Sequence, residues 1–226
     1  MILFKSPWLL IQLIVIFLNP WWWIIFQRNI WVGLLVIILS LVVFKYFWYS
    51  NIEKLLLPLL IFTAISFFIS VKDAFDISIF RYSTLEIQQL NKRHEFYANG
   101  LGKIYTNRIS LSYFKDFNLP ISKLQRNFFG NLDPNQYFFA SHPRERAGVE
   151  EFQKYIPLFL PFFVIGLLYS IHVPLLALLI YLVIVSLISS VISASYNLGP
   201  ILFFPLINFM ITIGIILSLK FLKTIK

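Results

Sequence analysis

The sequence contains no cysteine and little charge. Without cysteine among the 226 residues, disulfide bonds, thiolate metal sites and a cysteine nucleophile are all excluded. Charged residues make up 13% of the chain and hydrophobic residues 59%, whereas about 25% of the residues in a typical soluble domain are charged. This composition predicts a protein that is solvated by a lipid bilayer.

The positive charge of the chain is not arranged as a nucleic-acid-binding surface. The formal net charge is +9, but the segment 72–154 has twelve Lys and Arg against nine Asp and Glu, which leaves only +3 there. The other cations lie in short caps between apolar runs, and this pattern indicates membrane topology rather than phosphate-backbone binding. We therefore expect membrane lipids as partners and no nucleic acid.

Six apolar runs are long enough to cross a bilayer, which requires about 20 residues in a helix and fewer where flanking aromatic residues extend into the interface. They cover approximately residues 7–26, 30–48, 55–71, 156–172, 174–194 and 201–219. The sequence thus predicts an all-α polytopic membrane protein with six transmembrane helices and one helical extracytoplasmic domain between helices 3 and 4. We expect a three-helix bundle over 1–71, the helical domain over 72–155, and a second three-helix bundle with a basic cytoplasmic tail over 156–226.

The lysines in the short loops predict the orientation. If the N-terminus is cytoplasmic, the inner side receives six lysines and the outer short loops receive only Arg28. The six are Lys5, Lys45, Lys54, Lys220, Lys223 and Lys226. Because cytoplasmic loops carry the excess of Lys and Arg, we expect a multi-pass protein of the plasma membrane with both termini cytoplasmic and residues 72–155 outside.

The segment between the two predicted bundles has helical signals. Ser83 lies three residues before Glu86, which is the spacing of a capping box. A second helix is predicted over about 103–117 and is expected to end at the "NLP" sequence. Pro120 then suits the first turn of a third helix that ends near Phe129.

A charged sequence, "HPRER", lies shortly before the fourth predicted span. His142, Arg144 and Arg146 are candidate ligand-binding residues, because two guanidinium groups can bind a phosphate or carboxylate in a bidentate manner. In the alternative interpretation, the two arginines pair with Glu150, Glu151 or lipid headgroups and anchor the chain at the membrane surface. The sequence leaves both interpretations open.

Three carboxylates are weak candidates for a catalytic role. Asp73 and Asp76 follow the third predicted span on the same outer side, where they either approach the charged sequence or cap a helix. Asp133 precedes a proline and is flanked by asparagines, which is typical of a turn. The three histidines do not have metal-ligand spacing, so we expect no metal site and no cofactor.

Polar residues within the predicted spans favour packing over transport. No Asp, Glu, Lys or Arg lies deep within a span, which argues against a proton-coupled transporter or an ion pump. Small residues on one face of the fifth span allow close approach of helices: Ser186, Ser189 or Ser190, and Ser193. Asn208 in the sixth span is expected to form an interhelical hydrogen bond.

The region from about 108 to 171 loosely resembles part of the membrane-embedded GT-C glycosyltransferases, of the dolichyl-phosphate-mannose protein mannosyltransferase type. The similar sequence is "FFGNLDPNQYFFASHPRERAGVEEFQKYIPLFLPFFVIGLL", in which aromatic residues precede a charged turn, a glycine and a leucine-rich span. The resemblance implies that 131–155 is an external loop on the substrate side and that the substrate is a polyprenyl-phosphate sugar. Family members usually have an acidic catalytic base in the first external loop, whereas this loop reads "QRN" (27–29), so no catalytic residue is carried over.

Two functions follow as hypotheses. In the first, the chain takes part in cell-envelope glycan or lipid-linked sugar handling, as a GT-C-related glycosyltransferase or its subunit, and Arg144 and Arg146 bind the lipid phosphate. In the second, the chain is a non-enzymatic membrane scaffold whose surface helices dock a membrane protein partner.

Overall fold

The computed structural model describes residues 7–48, 82–104, 106–139, 152–170, 175–191 and 200–224. The helices are α1 (Pro7–Phe17), α2 (Pro20–Arg28), α3 (Ile30–Trp48), α4 (Thr84–Leu101), α5 (Arg108–Ser112), α6 (Asn118–Leu132), α7 (Asn135–Phe138), α8 (Leu160–Tyr169), α9 (Leu175–Val191) and α10 (Phe204–Thr224). Short 3-10 turns precede α8 and α10, and these ranges contain no β-strand. The all-α prediction is therefore confirmed for this part of the chain, while the predicted span 55–71 lies outside it.

Helix α10 forms the centre of the helix bundle. With its preceding 3-10 turn it makes a continuous apolar helix over Ile201–Thr224. Its most apolar 18 residues have a mean hydropathy of 2.3, and 83% of them are buried. It packs against α8, α3 and α1. Because apolar helices cover α10 on several sides, the other helices of the bundle are arranged around it.

Helices α8 and α10 touch through their backbones at two glycines. A Cβ atom added at Gly166 would lie 1.8 Å from the carbonyl oxygen of Met210, and one added at Gly214 would lie 1.9 Å from that of Phe162. Glycine at such a crossing allows two helix axes to approach more closely than any side chain would permit. The pair fixes both the register and the distance of α8 on α10.

The first predicted span, 7–26, is broken into two helices. Helix α1 ends at Phe17, and α2 leaves it at an angle of 67°. Pro20 lacks the N–H that would continue the hydrogen bonding of α1. The Asn19 side chain instead accepts a hydrogen bond from the Trp21 N–H at 2.8 Å and caps the new helix. The run predicted as one span is thus bent in the structure, because Pro20 and the Asn19 cap interrupt its helix.

Among the described residues, one helix is long and apolar enough to cross a membrane, and a second candidate exists if α1 and α2 are taken as one bent span. Three further apolar stretches are shorter: Ile30–Lys45, Pro157–Tyr169 and Leu178–Val191. The membrane character of the chain is therefore supported in its coarse form. The number of six transmembrane helices is not established by these residues.

The polar segment, the region 72–155 between the two predicted bundles, is described from residue 82, and its first helix begins as the sequence predicts. Ser83 caps α4, with the Glu86 N–H donating to its hydroxyl at 3.2 Å and the Ser83 N–H donating to the Glu86 carboxylate at 2.9 Å. The predicted helix over 103–117 is confirmed for 108–117, whereas its predicted start and its predicted end at Asn118 were wrong. A π-helical turn over Tyr113–Phe117 joins α5 to α6 without a break. Pro120 lies in the first turn of α6, as the sequence predicts.

Candidate functional site

Of the predicted site residues, Asp133 alone lies within the described ranges. It follows α6, and its Oδ1 accepts a hydrogen bond from the Asn135 N–H at 2.9 Å, so it has the turn role that the sequence favours. The other candidates lie outside the described residues: Asp73, Asp76, His142, Arg144 and Arg146. The structure therefore does not test whether these groups converge.

An aromatic cluster, formed by Trp21, Tyr137, Tyr155 and Phe204, attaches the polar segment to one end of the helix bundle. The Trp21 ring on α2 lies 5.9 Å from Tyr137 on α7, 5.8 Å from Tyr155 and 5.3 Å from Phe204 at the start of α10. All four side chains are buried. The N–H of Tyr155 also donates to the Tyr137 carbonyl at 2.8 Å, so the segments on either side of 140–151 are tied to each other and to the bundle.

Lys154 lies in the wall of this aromatic cluster and is nearly buried. Its ammonium is 5.9 Å from the Trp21 ring, 5.8 Å from the Tyr137 ring and 5.2 Å from the Phe152 ring, and it donates to the Gln136 carbonyl at 2.9 Å. Aromatic faces attract a cation and replace part of its lost hydration. The residue was not singled out from the sequence, because only the fold brings these rings together.

A line of buried polar side chains continues from the aromatic cluster into the bundle. The Asn208 side-chain N–H donates to the Tyr155 hydroxyl at 3.1 Å and to the Phe204 carbonyl at 2.9 Å. One turn further on, the Thr212 hydroxyl contacts the side-chain oxygen of Gln12 on α1. The expected interhelical hydrogen bond of Asn208 is instead made to Tyr155, which lies outside the helices, just before the 3-10 turn that leads into α8.

Helix α6 buries a polar face against α9. Its buried residues are Lys123, Asn127 and Asn131, and the Asn127 amide donates to the Ser190 carbonyl at 3.0 Å. On α9, Ser186 and Ser190 are also fully buried. The serine face of the fifth predicted span does pack closely, but its neighbour is α6 of the polar segment.

An open cleft of about 200 Å³ lies between α4 and α6. Glu86, Gln89, Leu90 and Arg93 line it from α4, and Leu119, Ser122, Lys123 and Arg126 line it from α6. The two sets have the same spacing of three, four and seven residues, which places four side chains on one face of a helix. Two amphipathic faces therefore meet with a polar space between them.

The single carboxylate of this cleft is engaged by its neighbours. The Lys123 ammonium lies 3.0 Å from Glu86 Oε2, the same oxygen that accepts the Ser83 N–H. Burial raises the pKa of Glu86, but the hydrogen bonds from Ser83 and Lys123 and the lysine charge outweigh burial, so the pKa lies below its ordinary value. Glu86 is thus ionised at neutral pH and holds Lys123 against α4.

Two further observations concern the titratable groups of the described residues. They contain no group of three His, Asp or Glu side chains that could hold a metal ion. Burial, together with the charge of Asp133, raises the pKa of Tyr137 well above its ordinary value, so its phenol stays neutral and donates to the Asn131 carbonyl at 2.6 Å. The exposed arginines in the cleft, Arg93 and Arg126, are the groups best placed to meet an external anion.

No protein-family model, curated protein or solved structure matches this chain.

Proposed function

We propose that the chain is a multi-pass protein of the plasma membrane that handles a lipid-linked sugar or glycan of the cell envelope at the outer surface. In this proposal the predicted six spans cross the bilayer, both termini are cytoplasmic, and the segment 72–155 is outside. The observation that carries the membrane part is the apolar outer surface of the bundle.

The outward faces of the helices around α10 are apolar. Exposed large hydrophobic side chains are Leu10, Ile14 and Phe17 on α1, Ile30, Trp31, Leu34 and Ile38 on α3, Leu158, Val164 and Leu168 at α8, and Leu179, Val183 and Leu187 on α9. Soluble monomers rarely expose contiguous apolar patches of more than a few hundred Å². Lipid chains solvate such a surface, and this supports a bundle embedded in a bilayer.

Residues near the helix ends agree with the proposed orientation. The Lys220 ammonium near the end of α10 lies 5.5 Å from the Trp8 ring near the start of α1, so the first and last described helices bring these ends together. The aromatic cluster of Trp21, Tyr155 and Phe204 lies at the opposite ends of α1–α2 and α10. The bundle thus has Lys220 at one end and the polar segment at the other. The positive-inside rule favours this distribution when the lysine end is cytoplasmic.

The lipid-phosphate part of the proposal depends on the charged sequence before α8. Arg144 and Arg146 would hold the phosphate electrostatically at the membrane surface. One of Asp73, Asp76 or Asp133 would activate the acceptor hydroxyl if the chain is catalytic. The loose resemblance to GT-C glycosyltransferases supports this proposal. The attachment of Tyr137 and Tyr155, which flank the charged sequence, to the bundle end also supports it.

Binding of polyprenyl phosphate to the purified chain tests this function. The double variant Arg144→Ala with Arg146→Ala is expected to bind at least about tenfold more weakly, because it loses charge-assisted hydrogen bonds. Arg28→Ala, which removes a cation from the predicted outer loop, serves as the control and should bind like the unmodified chain. Equal affinity of all three forms would mean nonspecific lipid attraction and would refute the assignment.

The alternative function, a membrane scaffold that docks a partner protein, has one observation in its favour. Helix α4 has no buried residue, and it exposes Leu85, Ile87, Phe96, Tyr97 and Leu101. Replacement of the exposed apolar residues within 84–98 by serine should remove a stoichiometric partner that co-purifies with the full chain. Unchanged recovery of that partner would exclude α4 as the docking element.

A further inference from the structure

We propose that the cleft between α4 and α6 is a binding site for a phosphate group, carried either by a lipid headgroup or by a small soluble molecule. The site uses neither Arg144 nor Arg146. It therefore stands independently of the lipid-linked sugar function and is tested by different variants.

The size and openness of the cleft suit a small anion. Its volume of about 200 Å³ compares with about 30 Å³ for one water molecule in the liquid, so a tetrahedral phosphate and several waters fit together. Leu90 and Leu119 form apolar parts of its wall. Gln89 and Ser122 add neutral hydrogen-bonding groups, which can orient an anion without changing the charge.

The electrostatic character of the cleft is set by two arginines. Glu86 is neutralised by Lys123, and both groups are fixed there, since Glu86 Oε2 also accepts the Ser83 N–H and the Lys123 ammonium lies 5.2 Å from the Tyr82 ring. Arg93 and Arg126 line the cleft from opposite helices. Within the described ranges neither has a carboxylate within salt-bridge distance. The cleft thus keeps a charge of about +2, carried by two exposed guanidinium groups.

A phosphate monoester fits this charge and geometry better than a carboxylate. It carries about −1.5 to −2 charges at pH 7 and three acceptor oxygens, so its charge balances that of Arg93 and Arg126, and its oxygens can accept from a guanidinium group that lines the cleft. Guanidinium groups bind phosphate oxygens in a bidentate manner. The Glu86–Lys123 pair links α4 to α6 and keeps the arginines in one cleft, so Glu86 and Lys123 are positioning residues for the site.

The experiment uses the full chain in neutral detergent and measures two ligands by titration calorimetry. Inorganic phosphate represents the soluble source, and dioctanoyl phosphatidic acid represents the headgroup, with dioctanoyl phosphatidylcholine as its zwitterionic reference. Raising the salt concentration from 0.05 to 0.5 M should weaken binding to the exposed arginines, because the Debye length falls from roughly 14 to 4 Å over this range.

Two double variants with equal charge loss separate the cleft from general attraction. Arg93→Gln with Arg126→Gln should weaken phosphate binding by about tenfold or more. Lys92→Gln with Arg108→Gln removes two exposed cations that do not line the cleft and should leave the affinity unchanged. Loss of phosphatidic acid binding alone in the first variant assigns the site to a headgroup, whereas parallel loss of inorganic phosphate binding assigns it to a soluble ligand.

The proposal is overturned if the two double variants lose affinity equally, or if the unmodified chain binds neither inorganic phosphate nor phosphatidic acid. Hydrogen exchange of the unmodified chain provides a test that needs no variant. Bound phosphate should increase protection in 84–101 and 118–132, and protection confined to other segments would place the ligand elsewhere.

Discussion

Replacing Gly214 by alanine tests the backbone contact between α8 and α10. The added Cβ would lie 1.9 Å from the Phe162 carbonyl oxygen, 2.6 Å from its carbonyl carbon and 2.9 Å from its Cα. These three atoms are backbone atoms of a packed helix, so no side-chain rotation can relieve the overlap. The two helices must move apart by more than 1 Å, since carbon and oxygen atoms in contact stay beyond about 3 Å.

The expected loss of stability follows from overpacking. Extra methyl groups in a packed core typically reduce the free energy of unfolding by about 1–3 kcal/mol, and a clash with a rigid backbone belongs at the upper end. For a chain of this size, about 3 kcal/mol corresponds to a decrease of roughly 6–12 °C in Tm. Gly166→Ala, which would meet the Met210 carbonyl oxygen at 1.8 Å, should have a similar effect.

Thermal unfolding of the detergent-solubilised chain, followed by tryptophan fluorescence, measures this change. Gly100→Ala is the matched control, because nothing lies within 4 Å of its added Cβ and the residue belongs to the exposed α4. It should be neutral or stabilising by up to about 1 kcal/mol, since alanine favours the helix over glycine. A Tm for Gly214→Ala equal to that of Gly100→Ala would refute the close crossing.

Three further outcomes are expected. In intact cells, a membrane-impermeant maleimide should label Asn91→Cys, whereas Thr224→Cys should react only after lysis; the reverse pattern would overturn the proposed orientation. Glu86→Gln should lower the free energy of unfolding at pH 7 by less than about 1 kcal/mol. The folded-state pKa of Glu86 lies below its ordinary value of 4.5, so its contribution to the free energy of unfolding is present above pH 4.5 and is lost as the pH falls through the folded-state pKa. Chemical denaturation curves of the variant and the parent should therefore converge in acid. A difference that persists in acid would contradict the Lys123 pairing. Asn208→Leu should destabilise the bundle by about 1–3 kcal/mol, because it removes the hydrogen bonds that the amide donates to the Tyr155 hydroxyl and to the Phe204 carbonyl. An unchanged Tm would show that this buried hydrogen bonding contributes little.

The predictions that succeeded depend on residues close together in the chain. The capping box of Ser83 and Glu86 and the turn at Asp133 each involve groups within three residues, so the local sequence is sufficient to specify them. The length of the apolar run over 201–219 likewise predicts α10. These signals do not depend on which helices become neighbours.

The predictions that failed concern how one local signal competes with another. Asn19 and Pro20 end α1 inside an apolar run, because a missing N–H and a capping amide override continuous hydrophobicity. At Pro120 the opposite occurs, because the π-helical turn before it delivers the chain into the first turn of α6, where proline is tolerated. The mean hydropathy around a proline does not show whether the helix ends there, as at Pro20, or continues, as at Pro120.

The phosphate cleft could not be predicted from the sequence, because its two arginines belong to different helices. Arg93 and Arg126 are ordinary exposed cations in the linear pattern. Their helices are brought together by contacts that the pattern does not show, among them the pairing of Glu86 with Lys123 and the contact of His94 with Phe114. Helix α6 was also unexpected in its packing, since its buried face is the polar one. Asn127 makes this possible by donating to a carbonyl of α9, so the usual rule that apolar faces turn inward does not apply there.

The 67° turn between α1 and α2 limits how far this part of the chain reaches through a bilayer. With a rise of 1.5 Å per residue, α2 advances only about 5 Å along the axis of α1, and the pair together advances roughly 22 Å. A hydrocarbon core is about 30 Å thick, so in the proposed membrane arrangement the lipid next to α1 would become locally thinner or water would enter above α2. A thinned patch beside Trp21 and Lys154 would shorten the path by which a lipid headgroup reaches the polar end of the bundle.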